Sequence, residues 1–402
     1  MYRQNELWYE PLEKIYKKQK FISEMNRHDH GFLCGMIKKM RPKKILEIGV
    51  AEGGTTAVIM ETLAILGLES EVWSVDLVED LYCDSAKKTG YEYFRLEKEL
   101  GQEWGKHHFL FGRTIAHQIG SIGDNIDMVI LDTTHKMPGE VLDFLCVFPY
   151  LAANATIVLH DINLNYSRAV LGDNAQIIGS KDSIATKLLL LTVAAEKYMV
   201  LKQGEFPNIA AFCINENTGK YMEDIFYLLT LTWSYIPRNE MLQEYRILFE
   251  KYYSKSCLTC FDMAWINNTR ILERHALREI FGGDEVPKIT YMFPYNQISE
   301  GSKIVIYGAG RVGKEVYMVQ SKRSIYHIAA WVDSNSEEYR KKGMDVISPE
   351  ELAEREFDYI VVAVESDSVF TEIHDEILRN KWDNKKIIVG PIKKYSDVLT
   401  IK

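Results

Sequence analysis

The chain has no excess of basic residues. Its 402 residues carry 48 Lys and Arg against 57 Asp and Glu, a formal charge of -9. A nucleic-acid binder would show a basic face, so that class is argued against. No apolar run approaches the roughly 20 residues of a membrane span. The longest, Leu188 to Ala195, is broken by Thr192. The first ten residues lack the apolar core of a secretory signal. Cysteine is sparse, with six scattered residues. Cys257 and Cys260 form a lone Cys-x-x-Cys without a second pair to complete a zinc site. They fall in an aromatic, helical stretch, where packing is the simpler role. These absences predict a soluble, reduced, cytoplasmic protein, and the length predicts two or three domains.

What is present is organised around Lys43 to Thr56. An apolar run ends in Glu47, Gly49 and the pair Gly53-Gly54, and a helical pattern follows. That reads as a buried parallel strand, a tight turn and a helix start. Strands are expected at Ile45 to Gly49, Val72 to Asp76, His108 to Phe111, Ile126 to Asp132 and Thr156 to His160. A helix is expected at Thr55 to Leu66. Continuous β-branched strands alternating with helices predict an α/β fold with a doubly wound parallel sheet. Tyr198 to Leu201 and Ile209 to Ile214 read as a terminal antiparallel hairpin.

The remaining chain divides by pattern. Residues 1–40 are helical, and the polar cluster Asn26 to Gly31 is either a lid or a capped, solvated loop. The sheet domain is expected over 41–218. A helical, aromatic segment at 219–285 packs beside the sheet or makes a dimer contact of a homo-oligomer, with Gly282-Gly283 as its stop. Residues 286–302, which carry Pro287, Pro294 and Gly301, read as a linker. A second Rossmann-like unit covers 303–402, with strands at Ile328 to Asp333, Tyr359 to Val364 and Lys386 to Val389. Ser348-Pro349-Glu350-Glu351 reads as a capped helix start.

Candidate chemistry collects at strand ends, where open α/β sheets bind ligands. Glu47 and Gly49 close the first strand, and Gly53 and Thr55 open the helix behind it. Asp76 ends the second strand, placed for a ribose diol. Gly112 and Thr114 follow the third, placed for an adenine edge. Strand four ends Asp132-Thr133-Thr134-His135 and strand five ends His160-Asp161-Ile162-Asn163. Carboxylates at such positions are rarely buried without a partner or a metal. Asp132, Asp161 and His160 can hold one divalent cation, Mg²⁺ or Mn²⁺ by their oxygen character. His135 is suited to general-base work.

The segment from Ile45 to Asn163 resembles class I S-adenosylmethionine (SAM) methyltransferases. It resembles the catechol O-methyltransferase group, and more closely its bacterial branch of sugar and antibiotic-tailoring O-methyltransferases and cephalosporin-hydroxylase-like proteins. The strand-turn-helix with Glu47, Gly49 and Gly53, Asp132-x-x-His135 and His160-Asp161 carry that resemblance. It implies a parallel sheet closed by an antiparallel hairpin and SAM as cofactor. It also implies Asp132 as metal ligand, with His135 as base. The next family ligand is an Asn, and here that position is Ile162, which cannot ligate; His160 or Asn163 is the substitute expected. The activity implied is methyl transfer to a hydroxyl of a sugar or nucleotide-linked sugar, in glycan, capsule or natural-product assembly. The alternative is a non-catalytic nucleotide-sugar-binding or scaffolding protein.

In the last hundred residues Gly308-x-Gly310-x-x-Gly313 follows a strand and opens a helix, and Asp333 ends the next strand. That is the context of a nucleotide site. The unit resembles domains appended to sugar-modifying methyltransferases and the amino-terminal domain of sugar acyltransferases. NAD or a nucleotide-sugar is the ligand this implies, unless the unit is a docking module. No Tyr-x-x-x-Lys pair of the reductase kind lies in it.

Overall fold

The computed structural model describes residues 2–3, 7–18, 21–101, 104–165, 182–200, 207–281, 289–379 and 387–398. The chain forms two compact units. One comprises Met1–Tyr235 and Glu244–Ala264, the other Ile236–Gln243 and Trp265–Lys402.

The first unit is built on an eight-stranded sheet. Its strands are β1 (Tyr2–Arg3), β2 (Lys44–Ile48), β3 (Glu71–Asp76), β4 (His107–Phe111), β5 (Ile126–Leu131), β6 (Leu151–His160), β7 (Glu196–Tyr198) and β8 (Ile209–Cys213). Their order is β1-β7-β8-β6-β5-β2-β3-β4. Strands β2 to β6 pair in parallel, and β8 runs antiparallel to β6 and β7. The expected hairpin is therefore present, with residues 201–206 outside the described set. Its first strand starts two residues before the sequence reading and ends at Tyr198.

The order reverses at β2, which pairs with β3 on one side and β5 on the other. Loops leave in opposite directions at such a switch point and open a crevice. Register then places the chemistry. Ile48 lies opposite Val75 and Leu131, and Leu131 opposite Leu159. The next residues, Asp76, Gly49, Asp132 and His160, therefore form one row along the carboxyl edge.

Apolar residues explain why this edge is rigid. The helix Gly54–Leu66 is mostly apolar, and its residues 54 to 63 are all buried. The helix Arg27–Met40 packs with it, bringing Phe32, Leu33, Met36 and Ile37 into one core with Ile45, Val58, Met128 and Val158. Asn26 caps that helix in a capping box with Asp29, so the cap reading of the polar cluster is realised. Asp29 and His30 themselves are buried rather than solvated. The stretch before β4, for which the sequence reading named no element, holds the helix Tyr91–Leu100 between Gly90 and Gly101. Its Tyr93 and Leu96 alone are apolar and buried, a stripe too thin to stand out from the surrounding Lys and Glu.

The helical segment resolves into helices at Met222–Leu228, Asn239–Tyr252 and Lys255–Phe281. Cys257 and Cys260 lie in the last, and Cys257 is buried, as packing requires. Gly282-Gly283 lies outside the described residues.

The second unit carries four parallel strands in the order β10-β9-β11-β12. They are β9 (Lys303–Tyr307), β10 (His327–Val332), β11 (Tyr359–Val362) and β12 (Ile387–Val389). The Ser348-Pro349 start leads into a 3-10 turn, Glu350–Glu354. Residues 289–302 do not behave as a linker: Tyr291, Phe293, Tyr295 and Ile298 are buried against Ile304, Ile306 and Val361. Glu273 anchors this segment, accepting hydrogen bonds from Tyr295 and, at 2.8 Å, from Tyr395.

Candidate active site

The turn after β2 is shaped by Gly49. Its φ is +94°, and a Cβ there would lie 1.8 Å from the carbonyl oxygen of Asp132. Only glycine lets the two strand ends approach this closely. Asp76 then fixes the loop from β3. Its Oδ2 accepts from the amides of Val50 at 2.9 Å and Ala51 at 3.2 Å, and its Oδ1 accepts from Val78 at 3.1 Å. A carboxylate has about four acceptor directions, so one remains for a ligand hydroxyl. Gly53, at φ +88°, caps the helix that carries Thr55. Thr55 Oγ1 lies 3.2 Å from Ser23 Oγ.

Glu47 lies beneath the turn, in the core. It is wholly buried, and its Oε2 accepts from Thr56 at 2.7 Å and Ser74 at 2.6 Å. It ties β2 to β3 and to the following helix. Its Oε1 has no hydrogen-bond partner among the described residues. Burial raises its pKa to about 7, against the pull of the Ser74 and Thr56 hydroxyls. Gly112, at φ +80°, bonds back to Asp76 O at 3.0 Å. A Cβ on it would lie 3.1 Å from Glu79 Oε1. Thr114 caps the helix Ile115–Ile122 and donates its hydroxyl to Glu244. Its side chain is committed to those contacts.

The ends of β5 and β6 meet in a cluster of charges. His135 Nε2 lies 3.2 Å from Asp161 Oδ2 and 3.9 Å from Asp132 Oδ1. His160 Nδ1 lies 3.1 Å from Asp132 Oδ1, and its Nε2 lies 3.3 Å from Asp29 Oδ2. His135 and Asp161 both take left-handed backbone, with φ of +60° and +55°. Such residues persist where their surroundings hold them. The start of the helix Ala185–Thr192 does so: Ala185 N–H bonds His135 O at 3.1 Å, and Thr186 Oγ1 bonds Asp161 O at 3.2 Å.

Three site residues were not named as site residues by the sequence reading. Glu140, fully buried, accepts from the His135 amide. Its Oε1 lies 3.3 Å from His135 Nδ1, close enough to attract charge but not aligned as a hydrogen bond. Asn208 donates its amide to Asp161 Oδ1, and Asp29 reaches in from the amino-terminal helix. Asp29 and Asn208 come from elements distant in sequence, and Glu140 from the start of the helix Gly139–Val147, five residues after His135. Of the three, only Asp29 lies in a segment that the sequence had marked.

The charges set one another. Burial disfavours a charged His135, but Glu140, Asp132 and Asp161 outweigh it and raise its pKa to about 9. Burial likewise opposes charge on His160, and Asp132 and Asp29 hold it well above the ordinary imidazole range. Asp132 stays low because His160 and His135 overcome its burial. Asp161 is raised by burial and by Asp132. A linkage prediction follows for chelator-treated protein. A histidine raised from 6.5 to about 9 contributes stability that is complete below pH 6.5 and lost as pH rises through 9. The 2.5-unit rise is worth on the order of 3 kcal/mol. The gap in unfolding free energy between the wild type and His135→Asn should therefore close from pH 6.5 to 9.5; a constant gap would contradict the shift.

Asp132, His135 and Asp161 each offer one ligand atom, all within 4.8 Å of one another. Two oxygens and an imidazole nitrogen suit a divalent cation such as Mg²⁺ or Mn²⁺. His160, expected in this set, has both ring nitrogens on carboxylates and is 2% exposed. Asn163, the other substitute, has its side-chain oxygen on Lys187 Nζ at 2.8 Å.

The second unit repeats the loop device. Asp333 Oδ2 accepts from Ala309 N–H at 2.7 Å, as Asp76 does from Val50. Gly308 has φ +110°, and a Cβ on Gly313 would lie 1.8 Å from Gly308 O. Gly310 caps the helix Arg311–Arg323.

Comparison with known proteins bears on both units. Residues 46–162 match the family model described as a methyltransferase domain. This part of the chain is a methyltransferase domain. Residues 300–388 match the model described as C2185-like, N-terminal. Solved structures similar to this chain include the O-methyltransferase TomG of Streptomyces achromogenes, involved in tomaymycin synthesis, in complex with SAM. It is 13% identical, covering 50% of this chain and 85% of its own, with TM-score 0.35. The O-methyltransferase of Bacillus cereus in complex with S-adenosylhomocysteine (SAH) is 15% identical, covering 48% and 83%, with TM-score 0.34. The SAH-bound methyltransferase PaMTH1 of Podospora anserina is 15% identical, covering 47% and 78%, with TM-score 0.34. No curated protein matches.

Proposed function

We propose that this methyltransferase acts on a hydroxyl of a sugar or nucleotide-linked sugar in glycan, capsule or natural-product biosynthesis, in the cytoplasm. The observation that carries oxygen as acceptor is the Asp132, His135 and Asp161 cluster, one and two strands over from the Gly49 turn. Methyl transfer breaks the sulfonium S–C bond and forms a C–O bond, and the hydroxyl proton must leave. His135 Nε2 faces the cluster and takes that proton in its neutral form, whose share grows as pH rises toward 9. Glu140 behind its Nδ1 stabilises the charge that results. Asp76 and the loop it orders hold the cofactor, and much of the rate comes from positioning. A divalent cation held by Asp132 and Asp161, with His135 as a further donor, would polarise the acceptor hydroxyl and lower its pKa. His135 Nε2 cannot serve cation and proton at once. The proton role is favoured because Glu140 supports the imidazolium.

The sugar assignment draws on the second unit, whose Gly308, Gly310, Gly313 and Asp333 form a loop suited to a nucleotide. A nucleotide-sugar or NAD is the ligand proposed there, and titration of each against the full chain tests it.

The first test is calorimetric titration of chelator-treated protein with SAH, without and with Mg²⁺. One saturable site is expected. Asp76→Ala should weaken it by about 100-fold, since a ribose hydrogen bond to a charged group is lost and two loop amides are released, at roughly 1.5–3 kcal/mol per charged bond. Equal affinity in that variant would remove Asp76 from the site. Tighter binding with Mg²⁺ would place a cation beside the cofactor.

A further inference from the structure

We infer that Asp29, in the first turn of the helix Arg27–Met40, is a positioning residue for Asp132, acting through the ring of His160. Its bearing on catalysis rests on the reading of Asp132 as part of the reacting cluster.

His160 lies between two carboxylates, one on each ring nitrogen: Asp132 Oδ1 at 3.1 Å and Asp29 Oδ2 at 3.3 Å. Asp29 is 1% exposed and His160 2%. Neither group can turn to water, so each is committed to this contact. A ring bonded at one nitrogen can swivel about that bond; a ring bonded at both is fixed in plane and direction. This is how an outer partner orients a ligating or reacting group. Asp29 in turn is set by the helix start, because the same Oδ2 accepts from the Asn26 amide at 3.3 Å.

The next residue holds this turn independently. His30 contacts Tyr16 OH and Ser23 Oγ, both at 3.0 Å, and Ser23 Oγ lies 3.2 Å from Thr55 Oγ1. One residue of the turn thus points to the acceptor-side cluster, and its neighbour to the helix behind the cofactor loop. Helix capping alone would require neither the burial of Asp29 nor its imidazole partner.

The test follows the ring N–H protons of His160 by NMR in the full chain labelled with ¹⁵N-histidine. Their assignment comes from their loss in His160→Gln. Wild-type protein should show both protons, slowed in solvent exchange. Asp29→Ala should speed exchange of the proton facing Asp132 by about tenfold or more, as expected of coupled neighbours. Asn26→Ala, which removes the cap alone, should leave it unchanged. If Asp29→Ala does not fold, Asp29→Asn, which keeps the shape, should move the same signal. The inference is overturned if wild type lacks the two protons, if the Asp132-side proton ignores Asp29, or if Asn26→Ala has the same effect as Asp29→Ala. SAH titration of the wild type is read separately: its failure would sink the methyltransferase reading, while the proton signals would still decide the role of Asp29.

Discussion

Gly49→Ala is expected to abolish measurable SAH binding and to lower the melting temperature of the protein. The added Cβ would sit 1.8 Å from Asp132 O, a backbone atom that no side-chain rotation can move. The residue would also hold φ at +94°, where alanine is strained. Overpacking costs about 1–3 kcal/mol, and strained backbone about as much again. A loss of about 3–5 kcal/mol corresponds to a fall of roughly 6–20 °C for a domain of this size. The function would suffer more than the fold. Relief requires β2 and β5 to part at their carboxyl ends, and that displaces both the cofactor loop and Asp132. Calorimetry and thermal unfolding on the same preparation check this. Unchanged SAH affinity would show that the turn is not part of the cofactor site.

His135→Asn is expected to lower turnover by about 10²- to 10⁴-fold, the range of a general base, with SAH affinity held within about threefold. Asparagine suits this position because it tolerates φ +60° better than alanine does. It also keeps the amide that bonds Glu140. The variant therefore removes the proton acceptor and leaves the strand end in place. Single-turnover methylation of the acceptor found by screening, set beside an SAH titration, separates the outcomes. If SAH affinity falls as far as turnover does, His135 belongs to cofactor binding and the proton goes elsewhere.

The carboxyl edge of the sheet was legible because both of its signals are local. A run such as Lys44 to Ile48 followed by Gly49 specifies strand and turn within six residues. Observed strands begin or end within a residue or two of expectation at β2, β3, β4 and β5, while β6 begins five residues earlier, at Leu151. Its added residues Ala153 and Asn154 are exposed and polar or small, so no apolar run announced them. The supporting residues were hidden for a different reason. Asp29 and His160 meet across 131 residues, and Asn208 and Asp161 across 47. Nothing in the spacing of either pair reports the meeting. His160 was read as a metal donor standing in for the Asn ligand that Ile162 replaces; only the fold reveals that Asp29 claims its far nitrogen. Thr114 was read by position alone, and its hydroxyl proved to be a helix cap.

The segment before β9 bears on how the carboxy-terminal unit could be made as a separate reagent. A gene cut at Lys303, the first residue of β9, looks natural on the strand pattern. Such a cut discards Tyr291, Phe293, Tyr295 and Ile298 and bares the apolar side chains they cover. It also strips Tyr395 of the carboxylate it bonds. A fragment of that kind invites inclusion bodies, and its failure to bind a nucleotide would say nothing about the loop at Gly308. A clone carrying everything from Trp265 onward keeps Glu273 and its tyrosines together.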